Sequence, residues 1–253
     1  MLKQYAGFVL ALLLVLVFGT AAVADDAAQT DAVVTMVQGT ARVFTKDATT
    51  GRLLKKGDKL KKEHEVKVAE KSRLEIRFPD GTVMRLSEKS QLKMNQVSYN
   101  KQTQAKNVKV DLSVGKLWAK VRKLATPDSS VEVKTSNAVA GVRGTIYRVN
   151  VEEDKSALVK VYDGTVYVAN PPKDAMGKPA VQVAKPAEVS GPTQVSPPYH
   201  QVTMEEWTVI VKAMQQISIS PQGVASKPQD FDPKADADDW VKWNLERDKQ
   251  TSF

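Results

Sequence analysis

The sequence predicts a mainly β protein. It reads as a compact antiparallel sandwich, jelly-roll-like or irregular β-coil domain, followed by a Pro-rich linker and two short C-terminal α-helices. Three observations predict this. Apolar and polar residues alternate with period two through most of residues 34–170, as half-buried strands require. Glycines and an Asp-Gly pair punctuate those runs. From Pro171 the composition changes, because seven of the twelve prolines fall within residues 171–198.

Residues 1–24 read as a signal peptide. Lys3 supplies the positive start, Phe8 to Phe18 is an unbroken apolar run of eleven residues, and Ala22-Val23-Ala24 fits a small-x-small cleavage site. The expected address is the periplasm. Secretion into the medium, or an uncleaved N-terminal anchor, are the alternatives, and such an anchor is the one membrane contact expected. Residues 25–33 form a flexible lead.

The β domain is placed at 34–170. Leu74, Ile76 and Phe78 alternate with Glu75 and Arg77, and strand character resumes after Pro79-Asp80-Gly81. Val108, Val110, Leu112 and Val114 alternate before Gly115, and Leu117, Ala119 and Val121 after it. Leu158, Val159 and Val161 lead into Asp163-Gly164, a dipeptide that suits the left-handed geometry of a hairpin turn. Gly39, Gly81, Gly115, Gly144 and Gly164 recur without a fixed period, which disfavours a solenoid of equal repeats.

Residues 171–201 read as the Pro-rich linker, since proline removes backbone donors and favours extended chain. Residues 202–253 read as a helical tail. Thr203 and Glu206 have capping-box spacing, and Trp207, Ile210, Val211, Met214 and Ile217 recur at helical intervals. A second helix follows Asp232-Pro233, with Asp236, Asp238 and Asp239 at its start and Arg247 and Lys249 near its end, as the helix dipole favours. Trp240 and Trp243 lie one turn apart. Packing within the chain is the ordinary use of such residues. Trp207, Trp240 and Trp243 are also the candidate docking residues for a partner chain or a sugar ring.

The 253 residues contain no cysteine and two histidines, which excludes disulfides, thiol nucleophiles and thiolate zinc sites. The net charge is +8. It is uneven: residues 25–170 carry 27 Lys+Arg against 18 Asp+Glu, and residues 171–253 carry 9 against 11. Lys55, Lys56, Lys59, Lys61 and Lys62 are the candidate anion-facing residues, or alternatively a solvated edge that lysines protect from aggregation. For an exported protein the expected partner is an envelope protein or an anionic glycan, not nucleic acid. No cofactor or metal is expected.

Catalytic motifs are nearly absent. Ser90-Gln91-Leu92-Lys93 matches the Ser-x-x-Lys of penicillin-binding enzymes. It lies among predicted strands rather than at a helix start, and the reading is of a non-enzyme.

Ser136 to Val149 contains Ala140-Gly141-Val142-Arg143-Gly144-Thr145. A guanidinium between two glycines reads first as an internal clamp, with Asp80 or Asp163 as partner, and second as a ligand-binding group. Val37 to Val43, Leu54 to Leu60, Leu74 to Thr82, Arg85-Leu86, Asp111-Leu112, Gly115 to Leu117 and Val161 to Val166 surround this segment in order. Together they resemble the FecR domain of bacterial envelope proteins, over about Val34 to Val168. The resemblance implies Asp80, Gly81, Gly141, Arg143, Gly144 and Thr145 as family-motif positions. It also implies a non-catalytic exported module that binds a partner or ligand, in sensing or signalling. The family's transmembrane regulators carry a cytoplasmic segment that holds a sigma factor. Here only about seven residues precede the apolar run, so that activity is not implied. The alternative reading is an envelope structural module that binds anionic glycan or surface polymer through its basic face.

Overall fold

A computed structural model describes residues 31–171 and 208–251. The predicted signal peptide, residues 25–30 of the lead, nearly all of the linker, and Trp207 lie outside the described residues, while residues 32–33 of the expected lead are strand. The chain forms β1 (Ala32–Gln38), β2 (Ala41–Phe44), β3 (Arg52–Leu53), β4 (Lys59–Leu60), β5 (Glu65–Val68), β6 (Arg73–Arg77), β7 (Val83–Leu86), β8 (Gln91–Tyr99) and β9 (Lys106–Lys120). It continues through β10 (Ser130–Lys134), β11 (Val139–Val142), β12 (Ile146–Val151), β13 (Ala157–Asp163), β14 (Thr165–Ala169), β15 (Thr208–Lys212), β16 (Gln215–Ile219) and β17 (Gln229–Asp230). One helix, α1 (Asp239–Gln250), ends the described chain.

The strands pair into two sheets joined through β9. Sheet I runs β3-β2-β5-β8-β9-β10-β11-β14-β15. Sheet II runs β4-β1-β6-β7-β9-β12-β13-β16-β17. The chain winds repeatedly from one sheet to the other, and neither closes on itself. β9 serves both: Lys106 to Val114 pairs with β8, and Gly115 to Lys120 pairs with β12. The changeover falls at Gly115, whose φ is +98° and whose added Cβ would lie 2.5 Å from the Ser90 Cα. No other residue fits there.

Alternation produces the core. Along β13, Ala157, Val159 and Val161 are buried while Leu158 and Lys160 are half-buried. Inward residues of both sheets form one cluster that includes Val34, Ile76, Leu92, Leu112, Val149 and Val168. Burial of such side chains stabilises the fold by about 1.5–3 kcal/mol each.

Two expectations need correction. The fold is mainly β, but its pairing is not wholly antiparallel, because β9 and β10 run parallel from Asn107↔Ser130 to Asp111↔Lys134. The first predicted helix is also wrong. Residues 208–219 form a strand–turn–strand unit that crosses between the sheets: β15 extends sheet I beyond β14, and β16 extends sheet II beyond β13. Val211, Ile217 and Ile219 enter the core from it. Only α1 of the expected helical tail is helical among the described residues.

Candidate functional site

The family-motif segment splits into two halves with different surroundings. Gly144 has a φ of +93°, and an added Cβ would lie 2.7 Å from the Lys123 Cα. Thr145 is buried, and its hydroxyl donates to the Thr165 carbonyl at 3.0 Å. These two residues hold the turn into β12 against neighbouring backbone. Arg143, by contrast, is exposed, and its Nη2 donates to the Pro127 carbonyl at 3.0 Å. Gly141 lies on the outer face of β11, opposite Tyr167 and Glu132.

The expected partnership of Arg143 with Asp80 or Asp163 is therefore not formed. Asp80 is buried in the tight turn where Gly81, at φ +93°, donates its N–H to the Phe78 carbonyl. Its carboxylate accepts from the Thr82 N–H and hydroxyl and pairs with the buried Lys106 ammonium. Lys106 also donates to the Arg122 carbonyl at 2.9 Å. Burial pushes the Lys106 pKa down, against the raising influence of Asp80. The clamp exists, but a lysine in β9 provides it. Lys106 lies outside the alternating run that predicted this strand, so pattern gave no sign of it.

A second polar assembly lies on the outer face of sheet II. Glu75, Arg85, Trp118, Arg148 and Lys160 are successive register partners across β6, β7, β9, β12 and β13. The C-terminal tail covers this row. Arg85 is fully buried and donates to Glu75 at 2.7 Å and to Asp248 of α1 at 2.6 Å. The Trp118 indole N–H donates to the second Asp248 oxygen at 2.9 Å. Asp236 accepts from Arg148 and from Lys160, each at 2.6 Å, and from the Tyr162 hydroxyl. Burial opposes ionisation of Glu75, but hydrogen bonds from Arg247, Arg85 and Thr35 outweigh it and hold the carboxyl at about 2.

The docking candidates on α1 are used internally. Trp240 is buried and stacks on Trp243 at 5.3 Å. The Arg73 guanidinium lies over Trp243 at 4.8 Å. The candidate anion-facing lysines occupy the opposite end of the molecule in sequence order, on the turns around β4. Lys55, Lys56, Lys59, Lys61 and Lys62 are exposed, and Lys59 pairs with Asp31 at 3.5 Å.

A polar cleft of about 500 Å³ opens where several turns meet, lined among others by Lys71, Arg73, Glu88, Lys116, Glu153 and Trp240. No cluster of metal-binding side chains occurs among the described residues. Ser90 and Lys93 do not form a catalytic pair. The Ser90 hydroxyl is buried against the Lys116 backbone, accepting its N–H at 3.0 Å, while Lys93 pairs with Glu63 at 3.0 Å.

Residues 64–167 match the family model described as FecR protein. Comparison with curated proteins gives no match. Two crystal structures of a protein described as a "putative anti-sigma factor" from Parabacteroides distasonis ATCC 8503, at 1.65 and 2.50 Å resolution, are similar. Each is 16% identical with a TM-score of 0.43, over 66% of this chain and 60% of that chain. The present chain thus spans less than two thirds of that protein. The ordered motifs and the family match agree that residues 64–167 form a FecR domain.

Proposed function

We propose that this is a non-catalytic, exported FecR-domain protein that binds a partner or ligand in the bacterial cell envelope, in sensing or signalling. The observation that carries the reading is the division of the family motif. Gly144 and Thr145 are committed to the fold, whereas Gly141 stands on the outer face of β11 and Arg143 is exposed just beyond the end of that strand. Residues that belong to the family pattern yet bear on solvent are the ones through which a binding module works. The other outer face is occupied by the protein's own tail, which leaves sheet I as the available surface among the described residues.

Deleting the gene in the native host and profiling its transcripts tests this reading. A sensing role predicts a discrete set of changed transcripts, restored by the wild-type chain. Unchanged transcripts, together with no envelope component retained by the crosslinked protein, overturn it. N-terminal sequencing of the protein from the periplasmic fraction tests export, with Asp25 as the expected first residue.

A further inference from the structure

Gly141 is a glycine without an internal reason. It lies within β11, its φ is outside the left-handed region, and an added Cβ would meet only the Tyr167 carbonyl oxygen, at 3.9 Å. Glycine in a strand is destabilising by about 0.5–1 kcal/mol relative to alanine. Gly115 and Gly144 have backbone conformations and close neighbours that require the residue; Gly141 has neither. Among the described residues the space above it is open. A bare stretch of strand backbone of this kind is where something outside the chain can approach closely.

Its surroundings define the class of ligand. Tyr167, the register partner on β14, is 46% exposed, and Ile210 beyond it on β15 is 50% exposed. Ser130, Glu132 and Arg143 complete a shallow concavity of about 370 Å³ around the glycine. Glu132 pairs with Lys109 at 3.3 Å, and no ion pair among the described residues engages Lys134, Arg143 or Lys212 on the same side of the sheet. Asp111, the register partner of Lys134 on the same face, adds a second carboxylate to Glu132, and against Lys109, Lys134, Arg143 and Lys212 the patch stays net positive, with a flat floor, one aromatic wall and both hydrogen-bond donors and acceptors.

We propose that this concavity is a subsite for one acidic sugar unit, such as a uronate, within an anionic glycan. The proposal rests on the reading of the protein as a binding module and names its ligand. A pyranose ring is flat enough to lie on the Gly141 backbone beside the Tyr167 ring. Arg143 supplies a planar fork of donors that matches a carboxylate. Ring hydroxyls find an acceptor in Glu132 and a two-way partner in Ser130. A protein partner fits less well, because the centre of a protein interface is depleted of charge and rich in apolar side chains. Here the large exposed apolar side chains are Tyr167 and Ile210, and a carboxylate and a guanidinium, Glu132 and Arg143, flank the glycine. A second copy of the chain would set one positive patch against another.

The test uses the full-length protein and short oligogalacturonates, with maltooligosaccharides of equal length and a single-stranded oligodeoxynucleotide as controls. Titration is followed by calorimetry and by amide shifts in ¹H–¹⁵N spectra. Oligogalacturonate is expected to bind and to shift the amides of residues 139–143 and 165–169. Gly141→Val fills the open space and is expected to weaken binding at least about tenfold, as is Arg143→Gln, which removes the charged fork. The triple change of Lys59, Lys61 and Lys62 to Gln leaves affinity unchanged. Arg143 is exposed, so its variant reports on the site even where Gly141→Val alters folding. Absence of oligogalacturonate binding, equal binding of the neutral sugar, tighter binding of the oligonucleotide, or full affinity in both single variants each overturns the subsite. Restoration of the deletion phenotype by the Gly141→Val chain would also overturn it while leaving the sensing role standing.

Discussion

Arg85 of β7 and Asp248 of α1 lie 2.6 Å apart, joining the middle of sheet II to the end of the described chain. Neither charge reaches solvent to any extent. Each therefore depends on the other, and on Glu75 and Trp118, for compensation. Asp248→Ala is expected to destabilise the protein by about 3–5 kcal/mol in urea unfolding, because it leaves a buried guanidinium short of an anion. Lys249→Ala, which breaks the exposed pair with Glu246, should change stability by less than about 1 kcal/mol.

Acid should loosen the same attachment. Glu75 titrates at about 2 in the folded chain, below the ordinary value of about 4.3 for a free glutamate. The unfolded chain takes up this proton first as pH falls. The stabilisation is complete above about pH 5 and is lost between about 4.3 and 2. Melting temperatures measured across that range should fall, with Trp240 and Trp243 fluorescence reporting release of α1. Glu75→Gln should lack this component of the pH dependence.

The two glycines that flank Arg143 should respond differently to alanine. Gly144→Ala meets both a left-handed backbone and the Lys123 backbone at 2.7 Å, and should cost at least about 1–2 kcal/mol. Gly141→Ala has open space and ordinary φ, and should stay within about 1 kcal/mol of the wild type. Thermal denaturation of the pair decides the matter. Equal losses would show that both serve the fold.

The Asp238 side chain accepts the Val241 N–H at 2.8 Å and so caps α1. Asp238→Ala should cost about 1 kcal/mol and speed hydrogen exchange in the first turn of the helix while leaving sheet I protected.

Much of this was legible in the sequence, for local reasons. Gly39, Gly81, Gly115, Gly144 and Gly164 punctuate the alternating runs, and all five have left-handed φ. Asp238, Arg247 and Lys249 marked the ends of α1. The two strands of residues 208–219 were misread because Ile210, Val211, Met214 and Ile217 happen to share helical spacing. In the fold Ile210 faces out, Met214 sits in a turn at φ +62°, and Val211 and Ile217 face the core. The β-branched run Val209-Ile210-Val211 favoured a strand, and pairing with β13 and β14 decided it. The site was harder. Arg143 was expected inside because glycines flank it, yet those glycines have different surroundings: Gly144 is pressed against the Lys123 backbone, and Gly141 meets only the Tyr167 carbonyl oxygen at ordinary contact distance. The Lys106–Asp80 and Arg85–Asp248 pairs join residues 26 and 163 positions apart, and spacing along a chain carries no trace of such meetings.

Ala169 and Thr208 are register partners at the ends of β14 and β15. The two strands thus form a hairpin in space although 38 residues separate them in sequence. Since the path leaves and returns at one point, the sheet sets no length for what lies between. The position is a natural port for grafting: a fluorescent reporter, or an entire second domain, inserted there would ride on the edge of sheet I without disturbing a strand pairing among the described residues. The same tolerance leaves evolution free to lengthen, shorten or rewrite that passage while the module around it keeps its shape.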